Sequence, residues 1–445
     1  MRRLIVIGSL FIVMMSILSG CTLDSSSSSP RSSSPVASTV NNSSETYPEV
    51  EPTEPILYHD LKMLTSSMGI GTTCNTKTGF YELDLSGALP TLFYIDYATH
   101  QKLPLCSRPE CQHNDETCNA VIPNAIGVVN FQQHLLVFCS AIEGNPSILQ
   151  IGYDGNDRVT LVELNSADRY DRAFAGDQNV LFTIVEAYSS ELNVQTPQLI
   201  QIDLAQGSIQ KLTQLDSSKS WFLVGTADNT LILKSIEVTQ NKNPGSHEAY
   251  LSQKHELFFY DLQLQEMTPQ RSWMQEEVVD ASYGDYLFFY IPSKGTFEVN
   301  RFDGAGLTTV LQSQPIPIPD SSSLYFLGLY DDRLVVQVGE KIESESSGSA
   351  ANVKWRQFAV DISDGSVIEL HLSYTYAGVT DFVVPVAESD GVLLVKCGVQ
   401  EKMMTAEGPD GTIQQYPTVV PVYATISSTN YFSNNAQYTK NTVAD

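Results

Sequence analysis

Positive charge is scarce in this chain. Its 445 residues include 25 Lys and Arg against 51 Asp and Glu, which gives a formal net charge of −26. A surface this acidic repels polyphosphate and anionic lipid headgroups, so the sequence predicts no nucleic-acid partner and a body that stands off a membrane. The same charge is also typical of proteins in which it serves solubility alone.

Motifs of catalysis are lacking as well. The chain has no Gly-x-Ser-x-Gly elbow, no His-Glu-x-x-His pair and no phosphate-binding loop. Six of its seven histidines are scattered, and we interpret each as a surface or packed residue. The absence of these motifs favours a non-catalytic role, although it does not decide whether the chain is an enzyme.

Long apolar runs are confined to the N-terminus. Two arginines precede the apolar stretch 4–18, and a glycine stands directly before Cys21. This pattern is typical of a bacterial lipoprotein signal peptide over residues 1–20, cleaved before Cys21. Lipid on the Cys21 thiol and on the new amino group would anchor the chain to the cell membrane, facing outside the cytoplasm. The alternative is an uncleaved spanning helix, for which the stretch is shorter than the roughly 20 residues needed.

Ser, Pro, Thr, Asn and Glu dominate residues 22–55. A segment with so few apolar groups cannot bury a core, so we expect a disordered tether over residues 21–55. It would span roughly 30 Å as a coil and up to about 100 Å when stretched. The folded body is then predicted over residues 56–432, followed by a C-terminal tail at 433–445.

Helical periodicity is absent over any long window, and a repeat of another kind is present. A strand-like run that ends in Asp and leads into a short polar turn recurs six times, at intervals of 42 to 58 residues. A turn that feeds a strongly apolar strand recurs in phase with it, as at Leu334–Val336. Units of about 50 residues with four strands each are typical of propeller blades. The sequence therefore predicts an all-β fold, a β-propeller of four-stranded antiparallel blades. Seven blades are favoured, and six and eight are the alternatives.

The repeated aspartates are interpreted as turn residues, because Asp at the first position of a turn accepts hydrogen bonds from its own backbone. A calcium site would need several oxygens around one ion, and only Asp154–Asp157 offers a local candidate. The last unit lacks the Asp after Tyr423–Ile426. We expect the ring to close there, with N- and C-terminal strands sharing a blade.

The densest chemical feature is a cluster within thirteen residues, formed by Cys106, Cys111, His113 and Cys118. Three thiolates and one imidazole match a closed zinc site in ligand count, although the spacing is not that of a finger or ribbon. Outside the cytoplasm, disulfide bonding is the rival interpretation, and a reactive or redox role is a third.

Three further cysteines, Cys74, Cys139 and Cys397, bring the mature chain to six besides Cys21. An even number suits disulfide bridges. Cys139 and Cys397 occupy equivalent points on two predicted blades, too far apart for a bond that needs Cα atoms within about 7 Å. Cys74 is therefore the more plausible partner for one of them.

Several strings of this sequence resemble those of bacterial surface lipoproteins with a TolB-like β-propeller body. The resemblance covers most of the chain and rests on the N-terminal segment, the Ser-rich stretch, Leu103–Cys106, Pro109–His113, Cys118–Ala120 and Tyr423–Ser427. It implies an extracytoplasmic location and a propeller fold, and it brings no catalytic residues.

Three polar insertions are predicted on one face of the ring, at Thr239–Lys254, Glu340–Val353 and Gln400–Pro417. Loops on a rigid scaffold often carry function, although long polar loops are also simply tolerated. We expect a monomeric, membrane-anchored binding or scaffold module for a glycan, peptide or protein. The alternative is a propeller hydrolase or lyase acting on an extracellular polymer, whose catalytic groups would converge from several blades.

Overall fold

The computed structural model describes the chain from Tyr58 to Val443 with short gaps, and 64% of it is strand. The predicted signal peptide, Cys21 and the tether lie outside the described residues. No helix in the described part is long and apolar enough to cross a membrane. The described ranges are 58, 60–65, 70–87, 89–113, 115–140, 145–171, 173–189, 194–237, 252–303, 306–319, 323–342, 352–407, 413–440 and 442–443.

The strands form seven four-stranded antiparallel blades in a ring. The prediction of a seven-bladed β-propeller is confirmed. Within each blade the strands are named a to d from the centre outward. The first strands of blades 1 and 2 contact each other, as do those of successive blades from 3 to 7, and strand a of blade 1 contacts strand a of blade 7, which closes the ring.

The first four blades follow a short strand, β1 (Lys62–Met63). Blade 1 has β2 (Thr73–Asn75), β3 (Gly79–Asp84), β4 (Thr91–Asp96) and β5 (Gln101–Pro104). Blade 2 has β6 (Ala125–Phe131), β7 (His134–Cys139), β8 (Ser147–Gly152) and β9 (Val159–Glu163). Blade 3 has β10 (Arg169–Tyr170) and β11 (Ala175–Asp177) as an interrupted strand a, then β12 (Val180–Ser189), β13 (Val194–Asp203) and β14 (Ser208–Gln214). Blade 4 has β15 (Ser220–Ala227), β16 (Thr230–Glu237), β17 (Lys254–Asp261) and β18 (Glu266–Met274).

The remaining blades include one inserted hairpin. Blade 5 has β19 (Val279–Tyr283), β20 (Tyr286–Ile291), β21 (Thr296–Asp303) and β22 (Gly306–Gln312). Blade 6 has β23 (Ser323–Tyr330), β24 (Arg333–Ile342), β25 (Asn352–Asp361) and β26 (Val367–Leu370). The hairpin of β27 (Ser373–Tyr376) and β28 (Val379–Phe382) follows. Blade 7 has β29 (Val384–Ser389), β30 (Val392–Glu407), β31 (Ile413–Ser427) and, after helix α1 (Ser428–Phe432), β32 (Thr439–Lys440); β33 (Thr442–Val443) ends the described chain.

In blades 2 to 7, strand b is the predicted apolar strand. In β16, Leu231, Ile232 and Leu233 are all fully buried, because the neighbouring blades cover both faces of the sheet. A short continuous apolar run is what such two-sided burial requires of a sequence. The core therefore lies between the blades, in a series of apolar layers around the ring.

The six repeated aspartates lie in the c–d turns and act as turn residues, as predicted. In each, a side-chain oxygen accepts backbone N–H groups two or three residues later, at 2.6 to 3.0 Å. The pairs are Asp96 with Ala98 and Thr99, Asp154 with Asn156, Asp203 with Ala205 and Gln206, Asp261 with Gln263 and Leu264, Asp303 with Gly306, and Asp361 with Ser363.

The strand order gives the ring two distinct faces. The a–b and c–d turns lie on one, which we call the turn face. The b–c and d–a connections lie on the other, which we call the hairpin face, because successive strands of a blade run in opposite directions.

The ring closes differently from the prediction. All strands of blade 7 come from the C-terminal part of the chain, and the shared blade is blade 1, where β33 pairs in parallel with β5. The predicted tail 433–445 therefore supplies strands to blades 7 and 1. Tyr431 and Phe432 of α1 are buried beneath this crossing, and their packing fixes where the chain turns toward blade 1.

A segment ahead of blade 1 lies along the centre of the ring. Its strand β1 pairs with β11 on the inner side of blade 3. At one end, the Tyr58 N–H donates to Asn229 Oδ1 in the a–b turn of blade 4, at 2.6 Å. At the other, the Gly71 carbonyl accepts the Val128 N–H of blade 2 at 3.0 Å. A Cβ on Gly127 would lie 2.9 Å from that carbonyl oxygen, so this close approach requires glycine.

Candidate functional site

The cysteine–histidine cluster lies on the connection from β5 of blade 1 to β6 of blade 2. Both ends of the connection are held to strand c of blade 1. The Leu105 N–H donates to the Leu92 carbonyl at 2.8 Å, and the Leu92 N–H donates to the Ala120 carbonyl at 2.8 Å. Residues 106–119 thus form a loop with a fixed base at the junction of blades 1 and 2.

The structure brings the four predicted donors together. One ligand atom from each of Cys106, Cys111, His113 and Cys118 lies within 4.8 Å of all the others. His113 Nδ1 is 3.2 Å from Cys118 Sγ. Ligand atoms of a tetrahedral zinc site lie about 3.5–3.8 Å apart, so only a small contraction separates this arrangement from metal-binding geometry.

Backbone N–H groups point at two of the sulfurs. Those of Arg108 and Asn119 donate to Cys106, and those of Ala120 and Val121 donate to Cys118. Burial acts to raise the pKa of Cys106, but the hydrogen bonds from Arg108 and Asn119 outweigh it and lower the pKa to about 6. For Cys118 burial dominates and raises the pKa to about 11. Of these two sulfurs, Cys106 is therefore the one more ready to exist as a thiolate.

Arg108 is a member of the site that the sequence did not single out. Its guanidinium Nη2 lies 3.7 Å from Cys111 Sγ and also donates to the Thr117 carbonyl. A cation placed among thiolates stabilises their negative charge. The sequence feature that could have identified Arg108 as a member of the site is its position two residues after Cys106.

His113 has a left-handed backbone, with φ of 56°. A non-glycine residue rarely adopts this conformation without local hydrogen bonds or another constraint. Here it turns the imidazole back toward Cys118, so the strain accompanies the assembly of the four donors.

The disulfide interpretation receives no support. All six described cysteines are free. Cys74 lies next to the a–b turn of blade 1, whereas Cys139 is the last residue of strand b of blade 2, so their thiols lie toward opposite faces of the ring. Cys397 packs in the core of blade 7. The predicted pairing of Cys74 with Cys139 or Cys397 is therefore not formed.

An open cavity of about 570 Å³ lies beside the cluster. Its lining comes from one loop, consisting of Arg108, Pro109, Glu110, Cys111, Gln112, Asp115 and Thr117. A propeller enzyme would gather catalytic groups from several blades. This cavity does not have that composition.

The three predicted insertions join strands b and c of blades 4, 6 and 7, and the described ends of these strands point toward the hairpin face. Most of Thr239–Lys254 lies outside the described residues. In blade 6 the paired strands β24 and β25 extend as far as Ile342 and Asn352. In blade 7, β30 and β31 pair as far as Glu407 and Ile413, which makes a long two-stranded arm.

Comparisons with known proteins report on the fold. No family model matches the sequence, and no curated protein matches it either. Solved structures that resemble the chain include a puromycin-hydrolyzing peptidase of Mycobacterium tuberculosis, with 11% identity over 88% of this chain and 57% of that chain and a TM-score of 0.44. Dipeptidyl peptidase 4 of Porphyromonas gingivalis has 9% identity, 83% and 59% coverage and a TM-score of 0.42. TolB of Acinetobacter baumannii has 13% identity, 80% and 77% coverage and a TM-score of 0.30.

The chain thus spans less than two thirds of each of the two peptidases. These likenesses concern the fold alone and assign no activity.

Proposed function

We propose that this protein is a lipid-anchored, extracytoplasmic binding module that presents its hairpin face away from the membrane and binds polypeptide ligands there without catalysis. The observation that carries the proposal is the position of Tyr58. Its N–H is bonded to the a–b turn of blade 4, so the chain ahead of it leaves from the turn face. The predicted tether ends only three residues earlier, at residue 55.

The geometry of attachment supports this orientation. β1 runs antiparallel to β11, from the turn face toward the hairpin face, along the middle of the ring. A lipid on Cys21 would therefore draw the turn face toward the membrane. The long b–c connections, on the opposite face, would point outward, where a surface protein meets its ligands.

The arm of blade 7 is the feature best suited to bind a polypeptide. Residues 399–407 of β30 pair only with β31, over a length of about 30 Å at about 3.3 Å per residue. Pro417 and Pro421 lack N–H groups, so the free edge of β31 is a poor template for another strand. The corresponding stretch of β30 contains no proline, and its edge can add an extended chain.

The base of the arm is supported by the inserted hairpin. Tyr376 of β27 donates its hydroxyl proton to Glu401 Oε1 at 2.9 Å, and β27 packs along β30. The beginning of the arm is thereby held in a defined direction. A positioned strand edge binds with a smaller loss of conformational entropy than a mobile one.

The middle of the ring supports a non-catalytic role. Leu61 and Leu64 of the N-terminal segment pack against the inner strands of blades 2 to 4, where a propeller enzyme would need convergent polar groups. The peptidase neighbours fit the alternative, a propeller hydrolase, only through their shared fold.

The test is removal of the arm. Residues 399–421 are replaced by Asn-Gly, which suits a two-residue hairpin between Gly398 and Val422, a pair already formed in the ladder. Intact and shortened chains are panned against a random peptide display library and applied to a glycan array. We expect peptides selected on the intact chain to lose binding to the shortened chain, while the circular dichroism spectrum and thermal midpoint stay unchanged.

Peptides that bind both chains equally would contradict the assignment to the arm. Binding to glycans without binding to peptides would contradict the choice of ligand. Replacement of residues 377–378, the tip of the β27–β28 hairpin, by Asn-Gly is the matched control, and it should leave peptide binding intact.

A further inference from the structure

We infer that the cysteine–histidine cluster binds one zinc ion in a closed site that fixes the connection between blades 1 and 2. The ligands are Cys106, Cys111, His113 and Cys118. This inference does not depend on the proposed binding function.

The backbone surrounds the sulfurs with hydrogen-bond donors. Backbone N–H groups are hydrogen-bonded to two sulfurs, those of Arg108 and Asn119 to Cys106 and those of Ala120 and Val121 to Cys118. Such donors stabilise a thiolate, because hydrogen bonds to an ionised acceptor are roughly twice as strong as neutral ones. A disulfide sulfur carries no charge and gains little from them. The same pattern of outer donors is what orients and tunes metal ligands.

The charges around the cluster also favour a bound cation. Three thiolates around Zn²⁺ leave one excess negative charge. The Arg108 guanidinium, 3.7 Å from Cys111 Sγ, stands where it would balance that charge. The loop also carries Glu110, Asp115 and Glu116, which outnumber Arg108 and the Arg158 guanidinium bonded at its base. A positive ion at the centre is therefore favoured by the field of the loop as well as by the donors.

The loop is also poor in buried apolar side chains. Among the described residues of 107–117, only Cys111 packs, half-buried, against the core, and the fully buried members of the connection stand at its base, at Leu105, Cys118 and Ala120–Ile122. Ordering each residue costs roughly 1–2 kcal/mol in conformational entropy. The hydrogen bonds of the loop, among them the turn bonds from Cys111 to Arg108 and from Cys118 to Asp115, contribute about 0.5–1.5 kcal/mol each and do not offset that cost. Four bonds to one ion, spaced along the loop, would supply the missing constraint.

The choice of zinc follows from the ligand set. Soft thiolates with one imidazole disfavour Mg²⁺ and Ca²⁺, which take oxygen ligands. Zn²⁺ accepts sulfur and nitrogen together in a tetrahedron, and four protein ligands leave no open position for a substrate or an activated water. The site is therefore structural, and it carries no catalytic step.

The experiment is elemental analysis of the full chain purified in detergent without added metal, together with alkylation mapping of its thiols. We expect about one zinc per chain, and thiols of Cys106, Cys111 and Cys118 that become reactive only when a mercurial reagent releases the ion. Replacement of zinc by Co²⁺ should give the red-region absorption of tetrahedral cobalt and thiolate-to-metal bands in the near ultraviolet.

Variants locate the ion. His113→Ala and Cys106→Ser should each reduce zinc to less than about a tenth of an equivalent. Cys397→Ala and His134→Ala are matched controls, because they remove the same side-chain types far from the cluster, and both should retain the full equivalent. Release of zinc from the unmodified chain by the mercurial reagent still tests the inference if a variant fails to fold.

Three results would overturn the inference. One is a mapped disulfide between any two of the three cysteines in metal-free protein. Another is zinc retained in both ligand variants. The third is stoichiometric binding of iron or copper in place of zinc.

Discussion

Two junctions between neighbouring blades are packed with side chains of different chemistry. At the junction of blades 4 and 5, charge is buried among the strands. Lys234 Nζ of β16 lies 2.7 Å from Asp280 Oδ2 of β19, and His255 Nδ1 of β17 lies 3.4 Å from Asp280 Oδ1. The Asp280 and His255 side chains are both 4% exposed. At the junction of blades 1 and 2, the interior is apolar and aromatic, and the ionisable donors stand on a loop at its edge.

The two junctions should differ in how far the effect of a substitution extends through the ring. A charge buried between two sheets cannot be rehydrated unless the blades separate, so its energy is coupled to the unfolding of the whole ring. A loop outside the sheets can open while the blades stay packed. We therefore expect global effects from changes at the first junction and local effects at the second.

Asp280→Asn should have the largest effect. Lys234 would keep its charge without the partner that neutralises it, and breaking a buried pair in this way costs about 3–5 kcal/mol. Urea unfolding followed by tryptophan fluorescence measures the loss. Adding Lys234→Met to the variant should restore part of the stability, and a single variant as stable as the parent would show that the pair is not coupled to the ring.

Acid should destabilise the protein by protonating the same Asp280 carboxylate. Burial acts to raise the pKa of Asp280, but the Lys234 charge and the contact with His255 outweigh it and hold the pKa at about 2. An unfolded Asp has a pKa of about 3.9, so the stabilisation is complete above about pH 4 and is lost as the pH falls to about 2. The expected loss is roughly 2 kcal/mol. Unfolding free energies measured across this window should fall more steeply for the parent than for Asp280→Asn, and parallel curves would contradict the assignment.

His113→Ala should act locally. We expect faster hydrogen exchange across residues 105–121 and a change of less than about 1 kcal/mol in the free energy of unfolding. Hydrogen exchange measured by mass spectrometry distinguishes local opening of this loop from unfolding of the whole ring. Faster exchange around the entire ring, or a loss as large as that of Asp280→Asn, would erase the distinction between the junctions.

The smallest effect is expected for a pair of the same chemistry at the surface. Arg169 Nη1 and Glu186 Oε2 of blade 3 are 3.3 Å apart, but their side chains are 73% and 40% exposed. Water and salt screen such a pair, so Glu186→Gln should change the free energy of unfolding by less than about 0.5 kcal/mol. Urea unfolding in low and high salt checks this. A larger, salt-independent loss would mean that burial is not what separates the two kinds of ion pair.

The parts of the fold that the sequence predicted are those with a local cause. Asp203 and its five counterparts bind their own backbones, so their spacing alone located the c–d turns. The fully buried b strands, such as Leu231–Leu233, were recognisable because burial on both faces demands a continuous apolar run.

The missed features depend on contacts between distant parts of the chain. β1 has two paired residues, and β33 has two, so neither leaves a periodic pattern. The ion pair of Lys234 and Asp280 joins residues of different blades, and nothing in either local sequence signals it. At the cluster, the residues were predicted together, but a metal site and disulfide bonds need the same side chains at the same spacing. The hydrogen bonds of the Arg108 and Ala120 N–H groups to the sulfurs favour the metal site, and they exist only in the folded backbone.

The N-terminal segment along the centre of the ring also has a mechanical meaning. A pull on the chain ahead of Tyr58 acts nearly along the axis of β1. The hydrogen bonds of β1 to β11, and that of the Leu64 N–H to the Phe174 carbonyl, are then loaded in shear and share the force, whereas a pull across the strand would break them one at a time. Because Tyr58 and Gly71 are bonded to blades 4 and 2, the load would pass from the middle of the ring into three blades at once. A protein held against flow by one end of its chain would in this way resist being unravelled from that end.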